Sequence, residues 1–382
     1  MLLKNNKRIL ILIPSLVGGG AERALLNLLN LLDLKQYSID LAVVSYRGIY
    51  TNQIPSEVNV IPMFKNDLLV RFLAYLQKRI GWTFWFKYVV RKKLNRDYEL
   101  SISYIDGNFT NLILMMRSPG NKVSWVHSSY ESYSNFSKFY QNNRYKTKLI
   151  NNRYQKLDAI VFVSQDSKKE FINVFGEFPK MPVVYNIVNE KNILAQKNAF
   201  EVEKSSIITF VTIGSLYPVK AYDKLIHASK LLVDKGLKFK VQILGKGFLE
   251  RELKALVSSL GLEKTIDFVG FKPNPYPYLD ASDIFIMTSK SEALPVSLME
   301  AMILGKPIIV TNCSGCRELV GNGKFGQMAE QTNKSIADKM EFLIQKKEDL
   351  GYYSDLSKRG ASLFKDDIVL KKNISILECN FE

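Results

Sequence analysis

Short β-branched runs alternate with helical patterns along the chain, and the rhythm stops once and then restarts. In the first half the strand candidates are RILILI (8–13), IDLAVVS (39–45), VNVIP (58–62), LSISY (100–104), VSWV (123–126) and AIVFVS (159–164), with PVVYN (182–186) closing that half. After a polar stretch the pattern resumes with IITFVTIG (207–214), KVQILG (240–245), TIDFVG (265–270), DIFIMTS (283–289) and PIIVT (307–311). Strands separated by helices in this way build parallel sheets covered on both faces. A chain of 382 residues exceeds one ordinary core. The expected fold is therefore α/β, with two doubly wound, Rossmann-like domains facing a central cleft. The expected boundaries are a first domain over 1–188, a linker over 189–206, a second domain over 207–360 and a C-terminal helix over 361–382 that packs back on the first domain. Ligands of such sheets sit at the strand C-termini, so the loops after strands carry the candidates.

Composition narrows the class. With 47% hydrophobic and 24% charged residues the chain is a folded protein, not a disordered one. No stretch of about 18 uninterrupted apolar residues marks a membrane span. The opening MLLKNNKRILILIPSLVGGG has the basic-then-apolar order of a signal peptide, but its apolar run is short and leads into glycines and a charged helix. It reads as a buried first strand. Three cysteines and two histidines are too few for a disulfide framework or a Cys/His metal cluster, and they fit a reducing cytoplasm. Cys313 and Cys316 form a C-x-x-C, but with no aromatic-flanked turn and no further zinc ligands they read as small loop residues.

The net charge of +16 is concentrated: residues 1–200 hold 28 Lys and Arg against 14 Asp and Glu, and the remainder 25 against 23. One half therefore faces an anionic partner. QKRIGWTFWFKYVVRKKLNR (77–96) interleaves Trp82, Phe84, Trp85 and Phe86 with lysines and arginines, as a helix lying on anionic lipid does. A nucleic-acid binder would instead carry its aromatics and cations on a sheet face or recognition helix. The expected partner is an anionic membrane surface and not nucleic acid, with the protein cytoplasmic and peripheral at the inner face of the plasma membrane.

Five loops carry the chemistry. IPSLVGGGAER places Gly18, Gly19 and Gly20 before a helix, where free N–H groups suit phosphate. Arg23 stands where a dinucleotide site has its third glycine, and Asp40 opens rather than closes the second strand, so NAD is not expected. IGSLYPVKAYDKLI sets Gly214, Ser215 and Lys220 after a strand, the lysine acting as a point charge for a diphosphate. Gly245 ends the next strand in the same manner. SEALPVSLMEAMILGKPIIV holds Glu292 and Glu300 with a helix start between them: Pro295 suits the first turn, and the N–H groups near Leu294 and Val296 form a further anion site. Eight residues of helix rise about 12 Å against about 5–9.5 Å between glycosidase carboxylates; side-chain reach can shorten that gap, but nothing in the pattern aims both groups at one bond. Two separate hydroxyl-binding roles are therefore expected, not an acid/base pair. His127 follows a strand directly and is expected at substrate.

These motifs in this order resemble the family-4 retaining glycosyltransferases of GT-B fold, over nearly the whole chain. GGGAER looks like the family's amino-terminal glycine loop and IGSLYPVKAYDKLI its Gly-Arg-Leu…Lys-Gly motif. GLEKTIDFVGF, ending at Phe271, is similar to its base-side strand, and E-x7-E followed by GKPIIVTNCSGCREL to its most specific signature. The resemblance is greatest to enzymes that extend polyprenyl-diphosphate-linked sugars for bacterial surface glycans such as capsule or O-antigen. It implies that Glu292 holds donor-sugar hydroxyls and Glu300 the nucleotide ribose. Lys220 and the Leu294–Val296 amides would hold the diphosphate, approached also by Gly19 and Gly20, with His127 near sugar and acceptor. It further implies a nucleoside-diphosphate sugar, UDP-linked by expectation, as donor, a lipid-linked saccharide as acceptor and no metal or other cofactor. Retention then needs no protein nucleophile, because the leaving diphosphate helps deprotonate the acceptor on the same face. Three positions depart from the pattern: Ser215 replaces an Arg, Ala221 a Gly, and YNIVN (185–189) an Asn-Gly-Val-Asp turn. The competing reading is a sugar-nucleotide epimerase of the same fold, which would call for more acid/base groups than two histidines provide.

Overall fold

The computed structural model describes residues 6–64, 83–130 and 142–381, together with Leu68, Val70, Phe72 and Tyr75. Two compact units divide the chain: Met1–Ile187 with Asp367–Glu382, and Val188–Asp366.

The first unit is built on six parallel strands: β1 (Lys7–Ile13), β2 (Tyr37–Ser45), β3 (Asn59–Phe64), β4 (Leu100–Ser103), β5 (Asn121–Val126) and β6 (Ala159–Phe162), in the order β3-β2-β1-β4-β5-β6. Ile9–Ile13 is buried throughout, as expected for a central parallel strand with helices on both faces. The helix Gly20–Leu31 turns Leu25, Leu28 and Leu29 inward. Asp40 is buried and bound by Tyr98 OH at 2.7 Å and Asn59 Nδ2 at 2.6 Å, a structural role. PVVYN adds no strand. It makes a single parallel bridge, Val183 to Phe162, beside β6, because Pro182 has no N–H to give a ladder.

The second unit repeats the plan with β7 (Thr209–Ile213), β8 (Lys240–Leu244), β9 (Ile266–Gly270), β10 (Ile284–Met287), β11 (Ile308–Thr311) and β12 (Gln327–Ala329), ordered β12-β11-β10-β7-β8-β9 and parallel throughout. Phe210, Ile243, Leu225, Ile226 and Met340 belong to its core. The stretch expected as a linker differs in part: Glu190–Gln196 is helical, with Asn189 capping Asn192 N–H and Ile193 buried. A single apolar anchor in a polar helix leaves little periodic signal. Helix Asp366–Leu377 crosses the unit boundary, and beyond it Glu378 accepts from Tyr37 OH at 2.9 Å in the first unit.

In each sheet the order in which strands are added reverses once, between β1 and β4 and between β7 and β10, while every strand stays parallel. Such a switch point opens a crevice at the strand C-termini.

The basic aromatic segment splits by face. In helix Phe84–Lys93, Phe84, Trp85 and Tyr88 are 61%, 45% and 48% exposed, whereas Phe86 is buried edge-on against Phe64, ring centres 5.7 Å apart. Phe86 therefore belongs to the core and not to an interfacial face. Residues 77–82, including Trp82, lie outside the described residues. Among the described residues no helix is long and apolar enough to cross a membrane.

Candidate active site

The second switch point brings Lys220, from the loop after β7, against Glu292, from the loop after β10: Nζ to Oε1 is 2.5 Å, with side chains 18% and 14% exposed. Pro218–Lys220 forms one 3-10 turn, and Ala221 then adopts left-handed φ 49°, ψ 45° before helix Tyr222–Asp234. That conformation is unfavourable for any residue with a Cβ, and here it is held from β10. Thr288 Oγ1 donates to the Lys220 and Ala221 carbonyls at 3.1 and 3.2 Å, and Lys290 N–H to the Val219 carbonyl at 2.7 Å. Burial works to lower the Lys220 pKa, but the adjacent Glu292 carboxylate outweighs it and holds the lysine above its ordinary value. The cation is fully charged at neutral pH.

Gly214 lies against Lys220: a Cβ there would meet Tyr222 Oη at 2.9 Å and Lys220 Cε at 3.3 Å. Gly245, at φ 150°, packs so closely that a Cβ would reach the Gly214 carbonyl oxygen at 1.9 Å. Ser215 is exposed beside them. Lys246, next to Gly245, has its Nζ 5.4 Å from the Phe271 ring centre.

Leu294 and Val296 are buried at the start of helix Val296–Ile303, with Pro295 as N-cap. Ser297 Oγ donates to the Ile213 carbonyl at 3.1 Å and pins the helix to β7. The C-x-x-C is not a loop but opens helix Ser314–Leu319, with Cys313 as N-cap and Cys316 buried, and its first turn supports the same segment. Gly315 N–H donates to the Glu292 carbonyl at 3.0 Å, and a Cβ on Gly315 would stand 2.2 Å from the Ala293 carbonyl oxygen. Glu300 is buried and accepts from Tyr276 OH at 2.9 Å. The two glutamates thus engage different partners on different elements and do not share a proton as a dyad would.

In the first unit the glycine loop departs from expectation. Gly18, at φ 119°, and Gly19, the N-cap, donate their N–H groups to Glu22 Oε2 at 2.6 and 3.0 Å, and Ser15 Oγ donates to Oε1 at 3.4 Å. The chain's own carboxylate holds two of the three amides expected for phosphate, which leaves Gly20 to open the helix. The signal was readable: a glutamate three residues after an N-cap is the reciprocal member of a capping box.

His127 follows β5 with its ring 4.9 Å from that of Tyr104, and its buried Nε2 has no hydrogen-bond partner. Burial pushes its pKa down to about 3, so the imidazole is neutral at physiological pH. Its loop is anchored by Glu170, which accepts from Ser129 Oγ at 2.6 Å and Tyr130 N–H at 2.7 Å. Asp106, after β4, accepts from Tyr130 and Tyr154 hydroxyls. Among the described residues no group of His, Cys, Asp and Glu is placed to hold a metal ion.

Two units, each built on a parallel six-stranded sheet with one switch point, make the GT-B architecture. Solved structures agree: Anabaena Alr3699/HepE, in complex with UDP and glucose, superposes with a TM-score of 0.73 at 20% identity, covering 96% of this chain and 98% of that one. Staphylococcus aureus TarM gives 0.75 at 13% identity, covering 97% and 99%. The model for "Glycosyltransferase Family 4" matches residues 18–192 and that for "Glycosyl transferases group 1" residues 194–361. A Campylobacter jejuni relative, N-acetylgalactosamine-N,N'-diacetylbacillosaminyl-diphospho-undecaprenol 4-alpha-N-acetylgalactosaminyltransferase, is 30% identical over 85% of this chain and 86% of its own length. The chain belongs to the family-4 glycosyltransferases.

Proposed function

We propose that the protein is a retaining transferase that moves a hexose or N-acetylhexosamine from a UDP-sugar to a polyprenyl-diphosphate-linked saccharide in bacterial surface-glycan synthesis. The observation that carries this is the Lys220–Glu292 pair at the second switch point, with Glu300 eight positions further on. Lys220 and the helix start over Leu294–Val296 take the diphosphate, with Pro295 shaping the turn and donating nothing, since it has no N–H. Glu292 turns to the donor sugar's hydroxyls, and Glu300 to the ribose. His127 offers its neutral Nε2 to a sugar or acceptor hydroxyl. The glycosidic C–O bond to the diphosphate breaks as the acceptor oxygen bonds to the same face, and the acceptor's proton passes to the departing phosphate oxygen. Stabilising that anion is the main catalytic task, and oriented amides with a cation perform it. The charge is assigned to Lys220 and these amides rather than to a divalent ion. The C. jejuni relative's undecaprenol-linked acceptor and the UDP bound by HepE support the substrate classes.

Mass spectrometry of a polyprenyl-diphosphate saccharide incubated with a panel of nucleotide sugars should give one elongated product. NMR should show the donor's anomeric configuration preserved. Inversion would refute the retaining mode, and acceptor-independent isomerisation of the donor would point to an epimerase.

The exposed Phe84, Trp85 and Tyr88, set among Lys87, Arg91 and Lys92, suit docking on anionic lipid. Sedimentation with phosphatidylglycerol vesicles should fall about tenfold on joint Phe84→Ser and Trp85→Ser substitution, and fall with added salt. Equal binding to neutral vesicles would remove the electrostatic part of the reading.

A further inference from the structure

The buried Glu300 carboxylate does not stand alone. Tyr276 opens helix Tyr276–Ala281 and donates its hydroxyl to Glu300 Oε1 at 2.9 Å, joining that helix to Val296–Ile303. Both side chains are buried. The tyrosine is itself anchored: its N–H donates to Asn274 Oδ1 at 3.1 Å, and Asn274 Nδ2 donates to the Gln196 carbonyl at 2.9 Å. A carboxylate only accepts, through about four lone-pair sites on two oxygens. Its terminal torsion is broad and roughly two-fold, so rotamer preference alone does not fix which edge it presents. Receiving two neighbouring hydroxyls requires one defined edge, and loss of orientation is expensive in a binding site. A donor fixed to Oε1 supplies that definition.

We propose that Tyr276 is a positioning residue for ribose recognition: its hydroxyl orients Glu300 so that the carboxylate meets the vicinal 2′ and 3′ hydroxyls of the nucleotide. This rests on the assignment of Glu300 to the ribose. The spacing of 24 residues between the two positions hides the pair from any motif.

Calorimetric titration of the full chain with UDP and with 2′,3′-dideoxy-UDP tests both layers. The unaltered protein is expected to prefer UDP by about tenfold or more. Tyr276→Phe should weaken UDP by about three- to tenfold while dideoxy-UDP stays within about twofold. The same change placed on Glu300→Gln should weaken UDP no further. Asn274→Ala, which loosens the tyrosine's anchor, should lower the UDP preference in the same direction and serves if Tyr276→Phe does not fold. Equal weakening of both nucleotides, or of neither, in a protein that discriminates between them would overturn the positioning role. A protein that never discriminates would remove the ribose assignment, and this inference with it.

Discussion

Lys220→Ala is expected to lower kcat by about a thousandfold, because it removes the cation that the proposed function assigns to the leaving diphosphate. The lysine is not a generic surface charge. The Thr288 hydroxyl and the Lys290 amide hold its turn, and Gly214 leaves room for its stem. The substitution also leaves the mostly buried Glu292 without its partner, a state more costly than losing the pair as a unit. Lys220→Ala with Glu292→Gln separates these effects. The double variant should recover thermal stability toward that of the parent without recovering transfer. Near-normal turnover by Lys220→Ala, measured at saturating donor, would remove the phosphate assignment.

The second large effect is expected at a residue that touches no substrate. A methyl on Gly315 would lie 2.2 Å from the Ala293 carbonyl oxygen, 2.5 Å from its carbon and 2.8 Å from Leu294 N. These are backbone atoms, so no side-chain rotation relieves the clash. One of the two turns must retreat by about 1 Å, and displacement on that scale costs about a hundredfold in rate when it moves groups aligned for reaction. Overpacking of this kind also destabilises by about 1–3 kcal/mol. Gly315→Ala should therefore fold with a lowered Tm, bind UDP weakly and lose about 99% of activity. An unchanged KM and kcat would show that the C-x-x-C turn does not support the Glu292 segment.

The strands were largely legible because central parallel strands must be apolar on both faces, as Ile9–Ile13 is. β12 was missed because Gln327–Ala329 is a three-residue edge strand with no β-branched side chain. PVVYN looked like a strand by composition, and Pro182 prevented the ladder. At the candidate site, positions that follow a strand were legible: Lys220 and Glu292 both come from loops whose β-runs are plain in the sequence. Their contact was not, since it depends on β7 and β10 lying side by side. The glycine loop was misleading for a different reason. Gly18 and Gly19 describe amides that need an anion, and the sequence also supplies that anion as Glu22. Tyr276 and Gly315 act through distant backbone or side-chain neighbours, and no local spacing announces either.

The switch point of the second sheet also constrains how the protein comes to be active. Lys220 and Glu292 are 72 positions apart, and β8 and β9 are formed from the chain between them. They meet only after β10 has passed both of those strands and paired with β7, a non-local closure of the kind that slows folding. A nascent chain or a partly unfolded one therefore holds a lysine and a glutamate but no charge pair. Donor affinity should arise with completion of the sheet rather than grow by degrees, so that immature chains leave the cell's activated sugars untouched.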